Sequence, residues 1–249
     1  MTDELVSIVS LVDHAIRQGE LTPHQRAAVA ALDRSLTHKQ RYQLTQDWRA
    51  VGSPAAPRPL AVPYYSQRDS ATGQGERMCF SSTCAMAADF LRPGSLAGAG
   101  QPDDRYLRIV ERFGDTTDAS AQVRALESLG IRARFRQDGS FEHLARQVAR
   151  GFPVPVGWLH HGPVAAPRGG GHWTLAIGWD AAQRQVIMHD PYGEANLVGG
   201  GYVTTTVGSG KALRYSERNW GRRWMAGPAG AYRFTPGTGW WFELSDEPF

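Results

Sequence analysis

The pattern of apolar and polar positions changes texture along the chain. Over residues 1–50 the apolar positions recur at helical spacing. In Asp3–Gln18, Leu5, Ile8, Val12 and Ile16 mark one face. Leu-Thr-Pro-His-Gln (21–25) and Leu-Thr-His-Lys-Gln (36–40) then repeat one motif. Thr22 and Thr37 are N-caps and Gln25 and Gln40 lie three residues on, so each repeat reads as a capping box. Pro23 stands at the first helical position, where its missing N–H costs nothing. Residues 1–50 are therefore expected to be a helical appendage, with helices at 3–18, 23–35 and 38–49. Residues 51–59 are rich in Gly, Pro and Ala and read as a linker.

From residue 60 the pattern is that of a separate domain, 60–249. A short strand is expected over 60–66. Residues 79–91 are apolar nearly all round, as in a buried helix, and Pro93-Gly94 ends it. Residues 103–113 and 120–129 are amphipathic helices, the second capped by Asp118. Residues 131–136 alternate like a strand, and 141–150 form a helix stopped by Gly151 and Pro153. Strands follow at 154–159, 173–179, 186–189, 201–207 and 240–244. Helices first and strands later make an α+β domain, not a doubly wound sheet.

Composition sets broad limits. The chain has 249 residues, 41% hydrophobic and 20% charged, enough apolar surface for a sizeable core. No stretch approaches the ~20 apolar residues that a membrane span requires. The start, Met-Thr-Asp-Glu, is acidic where a signal peptide is basic, so synthesis in a cytoplasm without a signal peptide is expected. The net charge is +3, with arginines scattered and no basic run interleaved with aromatics, which argues against nucleic acid. No His-Glu-x-x-His or equivalent cluster is present, so no metal or other cofactor is expected.

The two cysteines, Cys79 and Cys84, fall in the buried helix. Five positions on a helix separate them by about 140° around the axis, which does not permit a disulfide. Cys79 sits where a loop (66–78) enters the helix. Unpaired N–H groups and positive potential there favour a thiolate. Cys84 lies inside the helix and gains none of this. Cys79 is the nucleophile candidate and Cys84 a core residue.

A thiolate needs an imidazole to accept and return a proton, and a group to orient that imidazole. Residues 172–179 and 185–190 read as a hairpin around Asp180-Ala-Ala. With Trp179 opposite Gln183, His172 falls opposite Asp190. A two-residue slip would keep both on one face. Directly opposed residues have Cβ atoms about 5 Å apart, so the pattern places an imidazole beside a carboxylate. Phe80, Gly171 and Trp173 flank the nucleophile and base and are the expected substrate contacts. The Gly/Pro loop 161–171 is expected to wall the cleft. Trp173, Trp179, Trp220, Trp224, Trp240 and Trp241 would suit sugar contact, although packing accounts for such residues more simply.

These stretches resemble the C39-like branch of papain-like cysteine peptidases. The matching segments are Val-Pro-Tyr-Tyr-Ser-Gln-Arg-Asp (62–69), the Cys79 segment, Gly-Asp-Thr-Thr-Asp (114–118), Gly-Gly-His-Trp (170–173) and His-Asp-Pro-Tyr-Gly (189–193). The order Gln, Cys, His, Asp is that family's order. The resemblance implies a papain-like fold, a Cys79–His172–Asp190 triad, and Gln67 as an oxyanion-hole donor beside the Cys79 N–H. Many relatives have Gly after the cysteine; Phe80 stands here. The segment 67–82 and the tail 214–225 are similar to phage lysins and phage structural proteins. A phage endolysin cutting peptidoglycan peptides is the expectation that follows. It would be made in the host cytoplasm and reach the wall through holin-type release or from the virion. The alternatives are a protein-processing peptidase of a phage particle and an inert structural module. The bond cut, the wall chemotype, the role of the N-terminal helices and the oligomeric state are open in the sequence.

Overall fold

A computed structural model describes residues 59–226, 239–247 and 249. The expected N-terminal helices and the linker up to residue 58 lie outside the described residues.

Three helices come first: α1 (Cys79–Leu91), α2 (Pro102–Val110) and α3 (Ala119–Ser128). After them run β1 (Arg132–Gly139), α4 (Phe141–Ala149), β2 (Val154–Trp158), β3 (His172–Asp180) and β4 (Gln185–His189). The last elements are β5 (Glu194–Ala195), β6 (Tyr202–Thr204), β7 (Leu213–Ser216), α5 (Glu217–Trp224) and β8 (Gly239–Ser245). Caps define several starts. Asp118 accepts from the Ser120 N–H, Ser140 from His143 and Ser216 from Asn219.

Six strands form one antiparallel sheet in the order β1-β8-β2-β3-β4-β7, and β5 pairs with β6 apart from it. This is an α+β architecture with an antiparallel sheet. Helices cover both sheet faces, so β2 is buried at every position and β3 at all but one. On one face, Leu175, Ile177, Ile187 and Phe242 pack under α1, α2 and α3, through Met86, Tyr106, Val110 and Leu126. On the other, Trp158, Ala176 and Met188 pack against Leu144, Trp220 and Trp224 of α4 and α5.

Several boundaries differ from expectation. Residues 60–66 are not a strand; Leu60 donates one backbone bond to Ile177 and Val62 one back to Leu60. The expected strand 201–207 shrinks to Tyr202–Thr204, outside the main sheet. The helix expected over 103–113 ends at Val110 and tightens into turns at Phe113 and Gly114. Strand β7 and helix α5 are additional to the expected elements, and α5 is amphipathic, burying Trp220, Gly221, Arg223 and Trp224.

Candidate active site

Helix α1 begins at Cys79. Met78 is its cap residue and makes no side-chain cap hydrogen bond, and no acid stands in the first turn. The helix N-terminus thus presents unneutralised N–H groups to the half-exposed Cys79. Cys84 is fully buried, and burial pushes its thiol well up. The two cysteines have the environments their positions imply.

Polar ties fix α1 in place. Thr83 Oγ1 donates to the Trp173 carbonyl (3.0 Å), pinning the helix to the strand that carries His172. Ser82 donates to buried Asp103 of α2 (2.6 Å). Ser81 bonds Thr116 (2.7 Å), and Gln122 donates to Ser81 (2.9 Å). Arg77, two residues before the nucleophile candidate, forms a two-bond pair with Asp115 (2.9 and 2.8 Å). The Gly-Asp-Thr-Thr-Asp stretch therefore anchors the turn before Cys79 and caps α3.

His172 opens β3 and is 3% exposed. Its Nε2 lies 2.7 Å from Oδ1 of Asp190, which has no exposed surface. Cys79 is near enough to the imidazole to raise its proton affinity, and Nδ1 is the ring nitrogen not bonded to Asp190. Burial opposes the imidazolium, but the charge and hydrogen bond of Asp190, then those of Cys79, outweigh it and lift His172 to about 10. Asp190 is held from all sides. Its Oδ1 also accepts from the Tyr192 N–H (3.0 Å), its Oδ2 from the Tyr215 hydroxyl (3.2 Å), and its carbonyl from Tyr64 (2.9 Å).

The strand register brings the pair together by a route the pattern only half described. Next to the turn, Asp180 pairs with Gln185 and Gly178 with Ile187. That alignment, continued, would put His172 and Asp190 on opposite faces. A bulge at Ile177 shifts it, so Ala176 pairs with Met188 and Leu175 with His189. The result is the two-residue slip from direct opposition, with imidazole and carboxylate on one face. His189 faces away and bonds the Val62 carbonyl (3.1 Å) and the Ala212 N–H (3.0 Å).

Gln67 sits in a 3-10 turn (Gln67–Asp69) and is 1% exposed. Its own N–H donates to the carbonyl of Pro191 (2.9 Å), which docks the turn beside Asp190. Its Nε2 donates one hydrogen to the Gly75 carbonyl (2.7 Å) and keeps a second. Oε1 is buried without a partner among the described residues.

Two expected substrate contacts face the core instead. The Phe80 and Trp173 rings are buried and stack on each other, centroids 3.6 Å apart and 5° from parallel. The reason is geometric. One step along a helix turns a side chain by about 100° from Cys79, and one step along a strand sends it to the face opposite His172. Gly157, paired with Trp173, leaves room for the stack, since a Cβ there would lie 2.9 Å from the indole. Gly171 is half-buried at φ 94°, directly before His172. Trp220, Trp224 and Trp241 are also core.

Sequence reasoning passed over the aromatic shell around the imidazole. Trp158 (5.5 Å), Tyr202 (5.8 Å) and Tyr192 (6.3 Å) all present near-perpendicular rings to His172. They come from different elements, and no spacing in the sequence links them. Tyr192 donates to Glu76 (2.7 Å) and stacks under Arg68, which pairs with Glu76. This strap joins the turn before Cys79 to the segment after Asp190. Among the described residues no group of His, Cys, Asp and Glu is arranged to hold a metal.

The model of the Peptidase_C39 like family matches residues 59–215. No curated protein matches the chain. The solved structures similar at low identity include these three. A C39-like peptidase candidate from Bacillus anthracis is 13% identical, with 75% of this chain and 96% of that chain covered and a TM-score of 0.46. The peptidase domain of Streptococcus ComA, a bi-functional ABC transporter involved in a quorum sensing pathway, is 17% identical, with 68% and 92% covered and a TM-score of 0.41. A double glycine motif protease from an AMS/PCAT transporter, in complex with its leader peptide, is 13% identical, with 75% and 92% covered and a TM-score of 0.41.

Proposed function

The chain belongs to the Peptidase_C39 like family of cysteine peptidases, and from that premise we propose that Cys79, His172 and Asp190 act as its triad on peptide bonds of bacterial peptidoglycan. The observation that carries the triad is the buried 2.7 Å contact of His172 with Asp190, on an imidazole near enough to Cys79 for the sulfur to raise its proton affinity.

The chemistry follows from that arrangement. His172, lifted to about 10, is basic enough to take the Cys79 proton as the sulfur attacks. The thiolate attacks the scissile carbonyl. The Cys79 N–H and the second Nε2 hydrogen of Gln67 stabilise the oxyanion. His172 then gives its proton to the leaving amine, and water, with His172 now as base, releases the acid product. Asp190 keeps the imidazole oriented and its charge compensated.

The wall as substrate rests on the resemblance of residues 67–82 and 214–225 to phage lysins. Holin-type release or carriage on the virion would bring such an enzyme to its substrate. Among the described residues, no helix is long and apolar enough to cross a membrane.

The test compares the protein with its Cys79→Ala variant on muropeptides and isolated sacculi, with products read by mass spectrometry. New peptide termini in the native reaction alone support the reading and identify the bond. Labelling of Cys79 by a thiol-reactive probe without wall cleavage moves the substrate to a protein. Neither cleavage nor labelling overturns the enzyme.

A further inference from the structure

Beside the proposed triad lies a cavity of about 550 Å³ whose walls are mostly glycine: Gly162, Gly169 and Gly199–Gly201, with His161 and Arg168 at its edge. Two loops build it and are bonded together. Gly201 N–H donates to the His160 carbonyl (2.6 Å) and Val164 N–H to that of Val198 (2.9 Å). The backbones meet so closely that a Cβ on Gly200 would lie 2.3 Å from the Gly162 carbonyl oxygen. The space is a product of the fold, kept open because its lining has almost no side chains.

Its electrostatics are one-signed. No acid lines the cavity. Arg168 lies across Gly162, its Nε 3.4 Å from where a Cβ would stand. Other arginines of this region are neutralised: Arg68 by Glu76 and Arg77 by Asp115. Arg168 has no carboxylate partner among the described residues. Behind the same wall stands Arg223, with no exposed surface. It donates to the carbonyls of Leu159 (3.1 Å), His161 (3.2 Å), Gly162 (2.8 Å) and Leu197 (2.8 Å) and meets no carboxylate there. Two guanidinium groups thus flank one glycine-walled space, one of them open to solvent and free to fork onto a planar anion.

The cavity's place relative to the chemistry sets its use. The His161 ring lies 3.9 Å from that of His160, tilted by 42°, and the His160 ring is 5.4 Å from His172. A chain of ring contacts thus joins the edge of the cavity to the imidazole. We infer that this cavity is a substrate subsite for a carboxylate-bearing residue, received by Arg168 between glycine walls. The inference rests on the peptidase reading and gives it a substrate class: peptides with a free acid near the cut, as in wall stems whose side carboxylates are not amidated.

The experiment profiles cleavage by the full chain and by Arg168→Gln. The substrates are a mixed peptide library and paired wall stem peptides with free or amidated carboxylates. Products are read by mass spectrometry, and melting curves check the fold. A charge-assisted contact at a solvent-open site predicts a preference of about tenfold in kcat/KM, carried mainly by KM, for acid over amide at one position. The ratio should fall toward one in Arg168→Gln, be partly kept in Arg168→Lys, and shrink in high salt. Cleavage with no acid preference, or a preference untouched in Arg168→Gln, overturns the subsite and leaves the peptidase standing. Acid preference in the library without cleavage of wall stems supports the subsite and removes the wall as substrate. No cleavage of anything by the native chain overturns both.

Discussion

At the scale of single residues, the site depends on how Asp190 is held. Its two oxygens take three donors besides its backbone contacts, and the one from Tyr215 is the least expected. Tyr215 is buried, and its hydroxyl also accepts from the Ala195 N–H (3.0 Å), so its proton is directed at the carboxylate. Removing that hydroxyl leaves Asp190 free to tilt. Tyr215→Phe should lower kcat by roughly tenfold with little change in KM, and lower the NMR titration midpoint of His172. An unchanged midpoint would make Tyr215 mere packing. His172 also links stability to pH. Unfolded imidazole titrates near 6.5, and His172 is lifted to about 10. Its contribution is complete below the unfolded value and is lost as pH rises through the folded one. The stability gap between native protein and His172→Gln in urea melts should therefore be widest near pH 6 and close steadily toward pH 10.

At the scale of elements, local signals were read well and lateral ones poorly. Helix α1 has the expected bounds because a glycine loop and Pro93-Gly94 punctuate it. The sharing of a face by His172 and Asp190 followed from strand parity, yet the register came out through a bulge at Ile177 that no residue type announces. Residues 60–66 have strand-like composition but no partner strand, since β3, whose Ile177 carbonyl takes the Leu60 N–H, already pairs with β2 and β4. Tyr215 lies in a strand of four residues, too short to show a period, and the carbonyls that Arg223 meets are more than 20 residues away in sequence, so neither role was legible. Burial inside an element has its own test. Asp103 is raised to about 6 by burial, against its bond from Ser82 and aided by the charge of Asp104. A carboxyl raised on folding stabilises more as pH falls toward its unfolded value. Asp103→Asn should therefore gain roughly 2 kcal/mol over the native protein at pH 7 and lose that advantage below pH ~4. A second element test is Gly157→Val. Its side chain would meet the Trp173 ring at 2.9 Å, and overpacking costs about 1–3 kcal/mol, seen as a lower melting temperature.

At the scale of the whole molecule, segments distant in sequence close the site together. Arg223 in α5 clasps carbonyls of residues 159–162 and of Leu197. Arg223→Met would strand those acceptors, at a cost of about 1–3 kcal/mol for each buried carbonyl left unpaired. The Gly201 amide, bonded to the His160 carbonyl, should then lose hydrogen-exchange protection, while amides in the middle of α1 keep theirs.

The order of the sheet adds a consequence in time. Strand β8, the last of the described strands, lies between β1 and β2 rather than at an edge. A nascent chain that has already emerged through Asp190 holds every proposed catalytic group, yet β1 and β2 have no strand to join them. Assembly of the sheet, and with it the seating of α1 over β3, waits until Gly239–Ser245 has left the ribosome. A chain cut short before Gly239 should therefore be without activity however much of its proposed triad it carries.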